Sequence, residues 1–142
     1  MHPTAQQVIA ALDLAPHPEG GWFRQTWIAE TSAPRASGPA IYYLLAAGEA
    51  SHWHRIDSAE IWHFYAGAPL ALSLSEHDDS TPAQHTLGPE IMAGQHPQII
   101  VPPGHWQSAH STGDWSLVGC TVSPGFEFDH FELAPPGWSP GA

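Results

Sequence analysis

Residues 51–67, SHWHRIDSAEIWHFYAG, carry the densest set of side chains able to do chemistry. His52 and His54 are one residue apart, so on a β-strand both imidazoles point to one face, close enough to share a metal ion or to hold one substrate between them. A tight connection with Asp57 and Ser58 leads into Glu60, whose carboxylate a hairpin would set beside the two histidines. Trp62 and Phe64 share the parity of Glu60 and would wall the same cavity, while Ile61, His63 and Tyr65 would face away. A carboxyl buried among Trp62, Phe64 and Trp106 would be pushed towards neutrality by desolvation, which suits proton exchange with a histidine. His54 and Glu60 are the expected acid–base pair. A lone histidine at such a position is ordinarily a core-edge residue bonded to a carbonyl; HxH followed by Glu60 and Gly67 is what favours a site.

The second stretch is VPPGHWQSAH, residues 101–110. After the Pro102-Pro103-Gly104 turn, strand alternation places His105 and Gln107 on one face and Trp106 and Ser108 on the other, with His110 at the rim. His52, His54, Glu60 and His105 would make a four-ligand set for a divalent transition metal, whereas Gln107 is a weak neutral ligand. Residues expected to touch a ligand are His52, Trp62, Phe64, Trp106, Gln107 and the scarce cation Arg24, for which pairing with an acid is the plain structural alternative. Glu19-Gly20-Gly21 could present a carboxylate and amides to a ligand, although a Gly-Gly turn entering a strand accounts for it equally. Cys120, inside LVGCTV, reads as a packed and inert thiol.

These residues need a scaffold of strands. Thr4 is a suitable N-cap, and Val8, Ile9, Leu12 and Leu14 form one apolar stripe, predicting a short helix over residues 5–13. Beyond it, 13 glycines and 15 prolines across the chain punctuate short runs rich in Val, Ile, Leu and aromatics, an all-β pattern of about ten strands, the first over 22–30 and the last over 127–133. With 142 residues there is room for one domain, 1–142, with residues 1–15 as helix and lead-in and 134–142 as a loosely held Pro/Gly-rich tail.

Composition narrows the function. A formal charge of −11, with three arginines and no lysine, opposes binding to nucleic acid or an anionic membrane and removes Schiff-base chemistry. Eleven histidines would cancel that charge in mild acid, weakening the repulsion that keeps the chain soluble. One cysteine, no basic and apolar leader and no long apolar run predict a cytoplasmic protein. Seven tryptophans are many for a core this size and point to a homodimer, through the face with His63 and Tyr65 or through the strand from Trp22 to Trp27.

The HxH, Glu60 and Gly67 spacing resembles the first cupin motif, and PPGHWQ resembles the second. More closely, the chain resembles the small cupin 5 family through HPEGGWFRQTW (17–27), IYYLL (41–45), HRIDSAEIWHFYAGAPL (54–70), VPPGHWQSA (101–109) and LVGCTVSPGFEFDHFEL (117–133). The resemblance implies a double-stranded β-helix, the jelly-roll barrel, usually dimeric, with one ligand pocket inside. Two features depart from the general motif: five residues separate His54 from Glu60, and Gln107 stands where metal-binding cupins carry their last histidine. Three functions fit such a barrel: an isomerase, epimerase or lyase using the His/Glu pair on a small polar, sugar-like ligand; a metal-dependent oxygenase or isomerase; and a non-catalytic binding or sensor module.

Overall fold

A computed structural model describes residues 3–29, 38–124 and 131–141. The helix α1 spans Ala5–Leu12, opened by a capping box in which Thr4 and Gln7 exchange side-chain and backbone hydrogen bonds. It stops at Asp13, whose φ of 55° is left-handed. Eleven strands follow among the described residues: β1 Ala15–Pro16, β2 Trp22–Ile28, β3 Pro39–Ala46, β4 Ala50–Ile56, β5 Ala59–Gly67, β6 Leu70–Ser75, β7 Ala83–Leu87, β8 Gln98–Val101, β9 Trp106–Ser111, β10 Trp115–Ser123 and β11 Phe131–Leu133. Glu30, Arg35 and the first part of the strand expected over 127–133 lie outside the described residues.

The strands form two sheets, ordered β1-β2-β3-β10-β5-β8 and β11-β4-β9-β6-β7, and every pairing within them is antiparallel. This is the expected all-β jelly roll with a short N-terminal helix. One end of its interior is packed solid by Tyr43, Leu45, Trp62, Leu70, Leu72 and Val118. Along β10 the inward side chains run from Val118 in that core to Cys120 and Val122, which line an open cavity at the other end. Outside the six-stranded sheet, α1 lays Val8 and Ile9 on Leu44 and Trp115, so the apolar stripe of the helix closes a second, smaller core. No helix among the described residues is long and apolar enough to cross a membrane.

The C-terminal segment is not loosely held. Ala134 N–H donates to the Trp53 carbonyl at 2.9 Å, Gly141 N–H donates to that of Asp78 at 2.8 Å, and the Trp138 ring lies 4.6 Å from that of Trp106. An indole stacked on a buried indole outweighs the Pro/Gly composition that predicts a free tail.

One row of residues crosses the outer face of the six-stranded sheet: Trp27, Ala40, Thr121, Ile61 and Ile100 occupy successive paired positions. At its ends Trp27 is 61% and Ile100 59% exposed, and nearby Tyr65 is 53% exposed. Tyr65 leans over Gly119, where a Cβ would collide with the phenol ring, so the glycine makes room for it.

Candidate active site in the barrel cavity

The position of His54 is set by a break in strand alternation. Ser51 pairs with Ala109 but His54 pairs with Gln107, so β4 carries one more residue than β9 over this stretch. Such a bulge reverses parity. Ser51, His54 and Ile56 consequently turn inward and are buried, while the His52 ring turns out and its Nε2–H donates to the Pro135 carbonyl at 2.9 Å. The two histidines therefore do not share a face, contrary to plain alternation. His52 contributes its backbone instead: its carbonyl accepts a hydrogen bond of 2.7 Å from His54 Nδ1–H.

Facing His54 is Glu19, from the turn that enters β2. His17 N–H donates to the Gly21 carbonyl, and Glu19 N–H donates to His17 Nδ1. Gly20, at φ 113°, packs so tightly on the Ala50 carbonyl that any Cβ would overlap it. The Tyr43 hydroxyl donates to the Gly20 carbonyl, and His52 N–H donates to that of Glu19. Strapped in this way, the Glu19 carboxyl accepts from Ser51 Oγ at 3.0 Å and lies 3.1 Å from His54 Nε2. The turn explanation for Glu19-Gly20-Gly21 is right as far as it goes; the turn also delivers a carboxyl to the cavity.

This contact needs one proton. Because a carbonyl only accepts, His54 Nδ1 holds a hydrogen, and neutral Nε2 is then an acceptor facing an oxygen of Glu19. Either Glu19 is protonated and donates to Nε2, or His54 is an imidazolium facing a carboxylate. Burial raises the carboxyl of Glu19, against the opposing pull of His17, Ser51 and Tyr43. Burial also lowers His54, against the opposite effect of Glu60 and the His52 carbonyl. Both shifts favour the neutral pair, with the proton on Glu19, over the ion pair.

Glu60 is 8% exposed and reaches the same cavity. Trp62 Nε1–H donates to Gln107 Oε1 at 2.8 Å, and since an indole can only donate, the Gln107 amide must aim its NH2 at Glu60, 2.8 Å away. Burial, reinforced by the nearby Glu19 carboxyl, pushes Glu60 up to about 7, with His54, the Gln107 amide and the Cys120 thiol working the other way. The thiol itself is raised well above its usual range by burial and stays protonated.

The cavity is about 450 Å³. Of the residues expected to catalyse, bind a ligand or hold a metal, His54 and Glu60 line it and the others do not, while Glu19 and Cys120, which the sequence also brings up, line it too. Trp62 and Gln107 lie behind Glu60, wholly buried, and orient it. Phe64 packs against the solid core. Trp106 is on the far side of its strand, donating to Asp78 at 2.8 Å beneath Arg55 and Trp138. Arg24 lies over the Tyr42 ring outside the barrel. His105 belongs to the turn before β9, so strand parity does not apply to it. The set His52, His54, Glu60 and His105 is thus not brought together, and among the described residues no group of three or more His, Cys, Asp or Glu is arranged to hold a metal ion. Glu19 is the residue that the sequence reading undervalued; its only signal is the GG pair behind it.

A folded-state value of about 7 for Glu60 against about 4.5 in the unfolded chain means that the native protein binds more protons between those pH values. The advantage is complete below about 4.5 and lost as pH rises through 7, at a cost to stability of about 3 kcal/mol. Glu60→Gln, neutral throughout, is expected to match the wild type in urea denaturation at pH 5 and to exceed it at pH 8; parallel pH curves for the two proteins would contradict this assignment.

Comparison with known proteins follows the same lines. A protein of Shewanella oneidensis is 40% identical with a TM-score of 0.88, over 94% of this chain and 85% of that one. A hypothetical protein from Leishmania major is 29% identical with a TM-score of 0.86, over 93% and 88% of the two chains. A dTDP sugar isomerase from Desulfovibrio desulfuricans, at 18% identity and TM-score 0.61 over 87% and 88%, shares the barrel. No curated protein matches the sequence. The profile described as cupin superfamily (DUF985) matches residues 6–134, and the chain belongs to that cupin 5 family.

Proposed function

We propose that this protein transfers protons on a small molecule held in the barrel cavity, as an isomerase, epimerase or lyase does. The observation that carries the reading is the 3.1 Å contact between Glu19 and an imidazole whose other nitrogen is committed to the His52 carbonyl. In this reading the Glu19 carboxyl takes a proton from the ligand or returns one, and His54 Nε2 on its other side takes up or gives back the proton that the pair shares. Glu60 is the second acid–base group, held near neutrality so that it can act in either direction. The His54–Glu60 pairing expected from the sequence becomes a three-residue arrangement. The metal-dependent alternative needs His52, and His105 or Gln107, beside His54 and Glu60 in the cavity; the His52 ring points to the Pro135 carbonyl, and neither His105 nor Gln107 is among the described lining residues. The lone Cys120, kept as a buried thiol, suits a cytoplasmic setting.

The test is deuterium incorporation. Small carbonyl compounds that bind the protein, incubated with it in D2O, are expected to exchange a hydrogen next to the carbonyl. The exchange should fall by about two orders of magnitude or more in Glu19→Gln and in His54→Gln. Bound compounds that never exchange would leave a binding or sensor module instead, and exchange that survives both substitutions would remove Glu19 and His54 from the chemistry.

We also propose that the protein is a homodimer through the outer face of the six-stranded sheet, where Trp27, Tyr65 and Ile100 leave apolar area uncovered. Sedimentation at micromolar concentration should give twice the 15.3 kDa chain mass. A single species at the chain mass would contradict it.

A further inference from the structure

Among the described residues, Glu60 is a buried acid with no arginine or lysine paired to it. Its hydrogen bonds come from two neutral groups, the Gln107 amide and the Cys120 thiol. Glu19, by contrast, is already matched by His54 and Ser51. No lysine exists in the chain, Arg24 lies over Tyr42 outside the barrel, and Arg55 is tied to Glu132 at 2.8 Å and to Asp78 at 3.5 Å. Arg35 lies outside the described residues. Among the described residues that line the cavity there is no arginine, and much of its remaining wall is apolar, with Phe23, Ile28, Ile41, Ile56 and Val122.

A buried carboxylate is normally paired with a cation or neutralised by a proton, because an isolated charge in such surroundings is costly. Glu60 has only the second option until something enters the cavity. An anionic ligand, whether phosphate or carboxylate, would add a like charge beside two carboxyls, and the described lining offers it only His17 and His54, both of which burial pushes towards the neutral form. A polyol would set most of its hydroxyls against apolar side chains that cannot bond them. A molecule with an apolar body and one positively charged nitrogen meets neither obstacle: the body covers the isoleucines and Phe23, and the nitrogen supplies the missing counter-charge.

We propose that the cavity selects an amphiphilic organic cation, a compact apolar molecule bearing a protonated amine or amidine, and that Glu60 is the residue that pairs with its charge. The inference rests on the reading of this cavity as the ligand site and names the ligand class for it; it displaces the polar, sugar-like ligand that the sequence suggested. Pairing would also draw the Glu60 proton off, so that binding releases protons near neutral pH.

The experiment is equilibrium binding by titration calorimetry of three probes of one shape: cyclohexylammonium, cyclohexanol and cyclohexanecarboxylate. The ammonium is expected to bind most tightly and the carboxylate least. The ammonium should gain about tenfold or more in affinity from pH 5.5 to pH 8, as Glu60 ionises, while the alcohol stays level. Glu60→Gln should erase the advantage of the ammonium over the alcohol and leave alcohol binding intact; if that variant does not fold, the pH series on the unaltered protein decides. The proposal is overturned if the carboxylate or the alcohol binds as well as the ammonium, if ammonium affinity does not rise with pH, or if the ammonium fails to bind at millimolar concentration. Because binding needs no turnover, an ammonium preference without deuterium exchange in any ligand would defeat the proton-transfer reading alone. Exchange on neutral carbonyl compounds without an ammonium preference would defeat this proposal alone.

Discussion

A single backbone carbonyl, that of His52, governs the chemistry of the cavity. By accepting the Nδ1–H of His54 at 2.7 Å it selects the imidazole tautomer, and the opposite nitrogen must then share a proton with Glu19. That carbonyl is available because β4 bulges between Ser51 and His54, sending the His52 ring out to Pro135 and the His54 ring in. A regular strand would have turned both rings to one side and left His54 facing different neighbours. The bulge is therefore a structural requirement of the site, as bulges beside functional residues commonly are.

The surrounding packing keeps three titratable groups close without filling the interior with charge. With one proton shared between them, Glu19 and His54 carry no net charge as a pair, which leaves Glu60 as the carboxyl whose ionisation charges the site. The path from Trp62 through Gln107 to Glu60 accounts for the glutamine at a position where the resemblance to the cupin motif leads one to expect a histidine. Glutamine can accept from the indole and donate to the carboxyl at once, which needs both ends of an amide. Position 107 thus serves the acid from behind. The packed end of the barrel, with Trp62 and Tyr43 both nearly inaccessible, supplies the rigidity that holds this geometry.

Periodicity and punctuation were enough to read the helix, most strands and an all-β pattern, because each half-buried strand alternates and each turn carries Gly or Pro; the jelly roll itself came from the cupin resemblance. The N-cap at Thr4 is local and so was equally legible. His54 and Glu60 stood out for the same reason: their spacing lies within one hairpin. What escaped depends on contacts distant in sequence. The β4 bulge is defined against β9, some fifty residues on, and nothing in SHWH announces it. Glu19 reaches His54 only because its turn is strapped to Ala50, His52 and Tyr43. Trp138 holds the tail through Trp106, and Trp106 itself faces Arg55 and Asp78 because the inward side of β9 belongs to Gln107 and Ala109.

The most direct test is the protonation of the His54 ring, read from two-bond nitrogen–proton correlations of the 15N-labelled protein near pH 7. The account predicts a hydrogen on Nδ1 and an Nε2 resonance displaced from the free, unprotonated position by the proton shared with Glu19. A neutral ring with its hydrogen on Nε2 and a bare Nδ1 would contradict it.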